Sequence, residues 1–325
     1  MDDFLASVET ESCITVLYDE IKNLMSLMKM PMEKWATNSL KLKDVLRTHE
    51  VPCRTEAAVL GIDWNTTDDT LGNGFKTSFC ISRDKPLTKR WLLCSIASFY
   101  DPLGLYSPFT ILGKIIFQDT WILGIQWDEL LPANLSTSWY AATKELEDIH
   151  SHRIPRSLDL SSQIPYTIHV FCDASERAYG AVLYIVTLQD NQSKVHLVCS
   201  RNKLAPIKRV TLPRLELLAA LMGARLLQYF CSETNTCASK AIMWSDSQVA
   251  LGWIRSDPNK WKTFVCNRVT EIVSHTNPSQ WRHCPGADNP ADKLSRGVTP
   301  STLKNLDSWW NGWLLRLAYV IGLRK

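Results

Sequence analysis

The clearest pattern lies in the second half of the chain, where short β-branched runs alternate with amphipathic stretches. Three runs, YTIHVFCD, GAVLYIVT and KVHLVCSR, are joined by turn-like segments and predict an antiparallel meander. TLPRLELLAALMGARLLQYF then predicts a helix capped by Thr211, with Pro213 near its start. AIMWSD predicts a strand, SQVALGWI and NKWKTFVCNRVTEIVSH two helices, and SQWRHCPG a last strand. NPADKLSRG predicts a final helix, capped by Asn289, begun by Pro290 and ended by Gly297.

The first half carries a more helical pattern. A helical stretch runs from Ile14 to Met30 and ends at Pro31, and AVLGIDWN and FKTSFCI are typical of strands. TKRWLLCSIASFYD and SPFTILGKIIFQDTW predict two further helices, the second with Ser107 as N-cap and Pro108 in its first position. The polar stretch HSHRIPRSLDLSSQIP, with two prolines, predicts a linker.

Composition indicates a folded protein with two or three domains. The 325 residues are 45% hydrophobic and 21% charged. The acidic start MDDFLASVETES is unlike a signal peptide, and no apolar run reaches the roughly 18 residues of a membrane span. The ten cysteines are scattered without a C-x-x-C pair, which predicts reduced thiols in a cytoplasmic or nuclear protein and argues against a structural zinc site.

Charge is distributed unevenly along the chain. Residues 165–298 hold 16 Lys and Arg against 10 Asp and Glu, a net charge of +6 in a chain whose net charge is +3. This excess favours a phosphate-backbone partner, although a solvated surface of mixed charge would have a similar composition.

Four acids stand out by their order along this basic segment. Asp173 and Asp246 each end an apolar strand, Glu216 lies in the first turns of a helix, and Asp292 is the third residue of the last predicted helix after its cap Asn289. Singly, each has an ordinary explanation, because aspartates favour turns and acids stabilise helix N-termini. If the two strands are neighbours, however, the carboxylates converge and repel one another unless cations lie between them. Two Mg²⁺ ions would satisfy such a cluster and would suit phosphoryl chemistry.

Long collinear stretches carry a family resemblance. FCDASERAYGAVLY, TLPRLELLAA, WSDSQVALGWI and WRHCPGADNPADKLSRG closely resemble the ribonuclease H domain of BEL/Pao-type LTR retrotransposon polyproteins. Upstream, MDDFLASVET is similar to the Tyr-x-Asp-Asp turn of a reverse-transcriptase palm, AVLGIDW to the strand that follows it, and the segment from TKRWLL to QDTW to the thumb and connection region. DSWWNGWLL resembles the segment that leads toward the integrase.

The resemblance implies an α/β (α+β) fold in four parts. A palm remnant would occupy residues 1–85, a helical thumb and connection region residues 86–156, a ribonuclease H-like mixed five-stranded sheet with flanking helices residues 157–298, and a linker toward the integrase residues 299–325. Its metal ligands would be Asp173, Glu216, Asp246 and Asp292, holding two Mg²⁺ ions or Mn²⁺. His283 is the one histidine in the loop that carries the mobile histidine of many ribonucleases H.

The implied activity is endonucleolytic cleavage of the RNA strand of an RNA–DNA hybrid. Its partners would be the hybrid and the upstream reverse-transcriptase and downstream integrase portions of the polyprotein, with no membrane. Cationic side chains that could contact phosphate are Lys203, Lys208, Arg209, Lys260, Lys262 and Arg268. Each of these could equally serve solubility alone.

Two departures from the family pattern limit the expected activities. The chain begins at the paired acids Asp2 and Asp3, so the first palm carboxylate is missing and we expect no autonomous polymerase activity. No Asp-Thr-Gly or Asp-Ser-Gly occurs, which argues against a peptidase.

Two other interpretations stay open at this point. One is an inactive or co-opted nucleic-acid-binding remnant, favoured by the truncated palm but opposed by the intact quartet of acids. The other is an integrase or transposase nuclease, which would place its last acid, a glutamate, on a late helix. The early Glu216 and the sequence NPAD fit ribonuclease H better.

Overall fold

The described residues of the computed structural model form two compact units. One comprises Met1–Gly74 with His150–Ser157, and the other Phe75–Ile149 with Leu158–Lys325. The residues that the structure describes are 4–8, 10–30, 32, 34–59, 61–72, 86–146, 149, 152–160, 164–189 and 192–312. The acids Asp2 and Asp3 and the predicted strand FKTSFCI lie outside them. The predicted division into palm, thumb, ribonuclease H and linker remains a prediction.

The first unit combines two helices with short strands. Its helices are α1 (Glu11–Leu27) and α2 (Leu40–Thr48). Its strands are β1 (Trp35–Ala36), β2 (Cys53–Arg54), β3 (Glu56–Val59), β4 (Ile62–Asn65), β5 (Thr70–Gly72) and β6 (Ile154–Pro155). Tyr18 from α1 packs with Leu42 and Leu46 from α2 in a small core, and the Ser39 hydroxyl caps α2 by accepting a hydrogen bond from the Leu42 N–H.

Two predictions for this unit are wrong in detail. AVLGIDWN is not one strand, because the chain reverses at Gly61, whose φ of 80° suits a residue without Cβ, and Val59 pairs with Ile62 across the hairpin. The stretch predicted as a linker contributes β6, which pairs with β5 through Thr70 and Leu71. Neither of these strand pairings can be predicted from the composition of the local sequence.

The second unit is built on the predicted mixed five-stranded sheet, in the order β11-β10-β7-β8-β9. Its strands are β7 (Tyr166–Ala174), β8 (Ala178–Gln189), β9 (Gln192–Leu204), β10 (Ala241–Ser245) and β11 (Trp281–His283). Strands β7, β8 and β9 form the antiparallel meander, while β10 is parallel to both β7 and β11. The sequence-based prediction of the meander is therefore confirmed. The last strand, β11, is shorter than the predicted segment SQWRHCPG.

Helices cover both faces of this sheet. They are α3 (Lys89–Ala97), α4 (Ser107–Ile122), α5 (Ala133–Thr143), α6 (Leu212–Thr234), α7 (Gln248–Arg255), α8 (Thr263–His275), α9 (Asp292–Arg296), α10 (Pro300–Lys304) and α11 (Asp307–Trp310). On one face α6 packs closely, since a Cβ on Gly223 would lie 2.4 Å from the Cys172 Sγ. On the other face the Tyr184 hydroxyl donates a hydrogen bond to the Trp309 carbonyl (2.7 Å). None of the helices described is long and apolar enough to cross a membrane.

Two of the predicted helices start at other residues than the sequence predicts, and a third starts as predicted. Ser107 lies inside α4, and Tyr106 holds the N-cap position without a side-chain cap. Thr211 does occupy the N-cap of α6, but its side chain makes no capping hydrogen bond. The helix predicted from Pro290 begins at Asp292, because Pro290 and Ala291 form a turn. Gly297 ends that helix as predicted, with a φ of 80°.

Candidate metal centre

Two of the predicted acids lie side by side at one edge of the sheet. Asp173 is the second-last residue of β7, and Asp246 follows the last residue of β10. The parallel register pairs Cys172 with Ser245, so the next residues along both strands are the two aspartates. Because the side chains leave adjacent parallel strands at the same level, the carboxylates meet as the sequence predicts.

The third acid, Glu216, reaches this edge from α6. The helix lies close to the sheet because its facing residues Ala219, Ala220 and Gly223 are small and fully or almost fully buried. Glu216 is one and two turns before Ala220 and Gly223 on the same face, so close packing there brings its side chain to the ends of β7 and β10. A helix held further away by larger side chains would leave Glu216 out of reach.

Asp173, Glu216 and Asp246 form a compact group that we call the acidic triad. One ligand oxygen from each lies within 4.8 Å of the others. Asp173 and Glu216 are 3% and 6% exposed, and Asp246 is partly buried. Within the part of the chain that the structure describes, Glu216 Oε2 and Asp246 Oδ1 are buried without a hydrogen-bond partner. Unpartnered buried carboxylate oxygens are costly unless a cation or a proton satisfies them.

Burial and mutual repulsion make the triad hold protons tightly. Burial is the main cause in each case, and it raises the pKa of Asp173 to about 7 and that of Glu216 to about 9. The negative charges of the other acids add to this effect, and burial also raises the pKa of Asp246. A divalent cation would offset both causes, so the donor set and its unpaired oxygens fit such an ion.

The fourth predicted acid, Asp292, lies near the triad but is paired with cations. Its carboxylate accepts hydrogen bonds from Arg296 Nε (2.6 Å) and Lys293 Nζ (2.9 Å). Its negative charge nevertheless contributes to the raised pKa of both Asp173 and Asp246, which shows that the groups interact electrostatically. The structure thus brings three of the four acids together and leaves Asp292 at the rim.

Two further residues support the centre and were missed by sequence reasoning. The Ser295 hydroxyl donates a hydrogen bond to Asp173 Oδ2. The Asn289 side chain is buried, donates to the Cys172 carbonyl (3.0 Å) and accepts from the Ala291 N–H (3.1 Å). Together they fasten the segment around α9 to the end of β7. The one sequence feature that could have indicated these two residues is their position within NPADKLSRG, close to the predicted ligand Asp292.

His283 ends β11 and is exposed to solvent. The register of β10 and β11 places it beside Ser245, one residue before Asp246. Its positive form lowers the pKa of Asp246 and partly offsets the raising effect of burial. The structure therefore puts the histidine at the open side of the centre, within electrostatic range of one member of the triad.

The six predicted phosphate contacts differ in their burial and surroundings. Arg268 is partly buried, with its guanidinium carbon 3.6 Å from the centre of the Phe264 ring. Lys203 lines a cleft on β9 that is described below. The other four are exposed: Lys208, Arg209, Lys260 and Lys262. Their role in binding stays a prediction, as does the vestigial polymerase role of Asp2 and Asp3.

The raised pKa values predict how stability depends on pH. Because the folded triad binds protons more tightly than the unfolded chain, the free energy of unfolding in EDTA should fall as pH rises from about 4 through 7 to 9. The total loss should be on the order of a few kcal/mol. Denaturant unfolding measured at pH 5 to 9 checks this. Saturating Mg²⁺ should weaken the dependence of the free energy of unfolding on pH. The variant Glu216→Gln should weaken it as well, in EDTA. A stability that rises with pH in EDTA would contradict the assigned environment.

Comparison with known proteins adds a family match. The family described as Pao retrotransposon-like RNaseH-like domain matches residues 88–247. This range begins ahead of α3 and reaches Ser247, so it contains Asp173, Glu216 and Asp246. No curated protein matches the chain.

Solved structures of ribonucleases H overlap 40% of this chain. The N-terminal RNase H domain of a Mycobacterium tuberculosis protein, solved as a fusion with maltose-binding protein, shares 15% identity at a TM-score of 0.27, with 91% of its own chain covered. RNase H1 from the archaeon Halobacterium salinarum shares 14% identity at a TM-score of 0.26, with 92% covered. LC11-RNase H1, isolated from compost and solved with an RNA/DNA hybrid, shares 14% identity at a TM-score of 0.24, with 93% covered.

Proposed function

Since residues 88–247 belong to the Pao retrotransposon-like RNaseH-like family, we propose that the chain is a retrotransposon-derived ribonuclease H. It would cleave the RNA strand of RNA–DNA hybrids endonucleolytically, in a divalent-cation-dependent reaction that leaves 3′-hydroxyl and 5′-phosphate ends. The observation that carries the proposal is the acidic triad: one oxygen from each acid lies within 4.8 Å of the others, and among the described residues Glu216 Oε2 and Asp246 Oδ1 have no hydrogen-bond partner. A purely structural role would not favour two buried carboxylates and a partly buried third that repel one another.

Divalent cations, with Mg²⁺ as the expected ion, would be held by Asp173, Glu216 and Asp246, with Asp292 as the fourth ligand. When bound, such ions favour the ionisation of water and stabilise negative charge that develops on phosphate during hydrolysis. Ser295 would fix the orientation of the Asp173 carboxylate through its hydrogen bond. Asn289 would hold the loop before α9 against β7, so that Asp292 stays at the rim of the centre.

The residues at the open side would handle substrate and product. His283 is exposed near Asp246, and we assign it the task of helping product and cations leave. Choice of RNA would come from contacts to successive 2′-hydroxyl groups across the minor groove of the hybrid. The exposed cations Lys208, Arg209, Lys260 and Lys262 would contact phosphates, making binding dependent on salt. Upstream reverse-transcriptase and downstream integrase portions of a Pol polyprotein are the proposed covalent partners.

One observation favours a second candidate function, a nucleic-acid-binding protein without nuclease activity. Asp292 is engaged by Arg296 and Lys293 and lies outside the triad, among the residues described. If these two ion pairs persist in the presence of divalent ions, the centre would have three ligands instead of four. The chain could then bind a hybrid without cleaving it.

The decisive experiment uses the complete 325-residue chain with a hybrid whose RNA strand carries a 5′ fluorophore. In Mg²⁺ we expect shortened 5′-labelled RNA fragments with 3′-hydroxyl ends, and in EDTA none. Matched RNA–RNA and DNA–DNA duplexes should stay intact. Binding of the hybrid without cleavage, in Mg²⁺ and in Mn²⁺, would refute the nuclease and support the second candidate. Cleavage of all duplexes alike would refute selectivity for the hybrid.

A further inference from the structure

A cleft of about 390 Å³ lies where the edge strand β9, the helix α6 and residues 101–107 meet. Four cationic side chains line it: Lys114, Arg201, Lys203 and Arg225. Two tyrosines, Tyr179 and Tyr229, belong to the same lining. The volume lies within the ~300–1,000 Å³ that is usual for small-molecule sites. Neither the family match nor the proposed nuclease centre assigns this cleft a role.

The wall of the cleft is held in place by backbone hydrogen bonds. The Asp101 carboxylate accepts from the N–H groups of Leu105 (2.9 Å) and Tyr106 (2.8 Å), which shapes the turn before α4. The Leu103 carbonyl accepts from the Ser200 N–H (2.8 Å), so this turn covers the free edge of β9. Asp101 is the one acid among the described residues that line the cleft, and its oxygens are already engaged. The lining therefore offers an incoming ligand mainly positive charge.

Two of the cations have no carboxylate partner among the residues that the structure describes. Arg201 and Lys203 alternate along β9 and so project from the same face of the sheet. In the described part of the chain, no carboxylate oxygen lies within 4.0 Å of either side chain, whereas Arg225 is paired with Glu271 at 2.5 Å. Because both side chains start from one strand of the sheet, the positions of their Cα atoms are fixed before a ligand arrives.

The remaining cation, Lys114, lies deeper in the cleft. Its ammonium group donates a hydrogen bond to Asn202 Oδ1 (2.9 Å), and burial lowers its pKa. A positive charge held away from bulk water favours an anionic neighbour more strongly than an exposed lysine does. Asn202 lies between Arg201 and Lys203 on β9, so its side chain projects from the opposite face of the strand and holds Lys114 on that side.

The tyrosines add a surface for an aromatic ring. The Tyr229 side chain is 57% exposed, and the guanidinium carbon of Arg201 lies 5.7 Å from the centre of its ring. Tyr179 pairs directly across the sheet with Lys203. Aromatic rings next to cations are the combination by which proteins hold a base and its phosphate together, since rings stack on bases and cations bind phosphate.

We propose that this cleft is a nucleotide-binding site. Arg201 and Lys203 would bind the phosphate, with Lys114 adding positive charge from the other side of β9, and the base would stack on the exposed Tyr229. The ligand would be either a free nucleotide or one nucleotide of a nucleic-acid strand, which share this chemistry.

The site is separate from the acidic triad. The sheet register aligns Asp173 with Gly180 and Gly180 with Asn202, which places the cleft two strands from the triad. Two strand spacings correspond to roughly 10 Å. Nucleotide binding in this cleft therefore does not depend on nuclease activity at the acidic triad.

The test measures binding of adenosine 5′-monophosphate to the full chain in EDTA, by calorimetry, with inorganic phosphate and adenosine as partial ligands. We expect AMP to bind, and the double variant Arg201→Gln with Lys203→Gln to lose about tenfold or more in affinity, because two charged hydrogen-bond donors are removed. Tyr229→Leu should weaken AMP several-fold while leaving phosphate affinity unchanged.

A matched control removes the same charge elsewhere. Lys41→Gln with Lys144→Gln lowers the net charge by the same amount at two exposed positions outside the cleft, and should keep AMP affinity within twofold. Displacement of AMP by a single-stranded DNA 12-mer would assign the site to a nucleic-acid strand, and failure to displace it would assign the site to a free nucleotide. The inference is overturned if AMP does not bind at millimolar concentration, or if both double variants lose affinity equally. Thermal melts show that each variant is folded.

Discussion

Replacing Asp246 with asparagine is expected to lower the rate of hybrid cleavage about 100-fold or more. The change keeps the size of the side chain but removes one negative charge from the acidic triad, so affinity for Mg²⁺ and cleavage should fall together. Asp246 Oδ1 is buried without a partner, and burial raises the pKa of this group. Without divalent ions, the variant should therefore be as stable as the parent or more so, because it relieves carboxylate repulsion.

Asp288 supplies the matched control for this substitution. It lies in a short turn of residues Gly286–Asp288, four residues before Asp292, and does not belong to the triad. Asp288→Asn should leave cleavage nearly unchanged at equal Mg²⁺. Single-turnover cleavage, Mg²⁺ titration and a melt in EDTA on all three proteins measure the contrast. Parent-like cleavage by Asp246→Asn, or loss of activity in Asp288→Asn alone, would show that the metal ligands are wrongly assigned.

The arrangement of the triad could be anticipated because its causes are local in sequence. Asp173 and Asp246 follow apolar β-branched runs, and adjacent parallel strands must present their ends at the same edge. Glu216 could be added because the small residues that bring α6 close to the sheet recur at helical spacing from it. These are patterns of periods two and 3.6, which a single sequence displays.

The ion pair between Asp292 and Arg296 was not predicted, because it depends on whether the Asp292 carboxylate joins the triad or pairs with a cation on its own helix. Asp292 and Arg296 are four residues apart on α9, a spacing that favours an ion pair. Sequence order shows the acid but not which partner its carboxylate selects. The contacts from Ser295 to Asp173 and from Asn289 to Cys172 span more than a hundred residues, and no local pattern reports them.

The nucleotide cleft could not be predicted from the sequence either, because its lining residues are far apart along the chain. It needs residues 101–114 to lie against β9 and α6, which are about a hundred residues further along the chain. Sequence reasoning did single out Lys203, but only as one basic residue among six. Its neighbours Lys114 and Tyr229 carry no signal of their own until the fold brings them together.

Replacing Gly223 with alanine should destabilise the second unit by about 1–3 kcal/mol and slow cleavage at the same time. The new Cβ would lie 2.4 Å from the Cys172 Sγ and 3.2 Å from Val170 Cγ1, and both side chains are fully buried. Since neither can turn aside into open space, α6 must move away from the sheet. Glu216 lies two turns earlier on the same face, so its carboxylate would leave the triad. A misplacement of about 1 Å can cost roughly 100-fold in rate.

Two further variants separate this packing effect from the usual effect of alanine in a helix. At Gly252 in α7 a new Cβ would have no described atom within 4 Å apart from its chain neighbours and the backbone of its own helix, so Gly252→Ala should stabilise the protein by about 0.5–1 kcal/mol. Adding Cys172→Ala to Gly223→Ala removes the sulfur that collides, so the double variant should recover cleavage and lose less stability than the two single changes combined. Urea unfolding and hybrid cleavage of the parent, Gly223→Ala, Cys172→Ala and the double variant test this cycle. If Gly223→Ala matches the parent in both measurements, the close approach of α6 does not position Glu216.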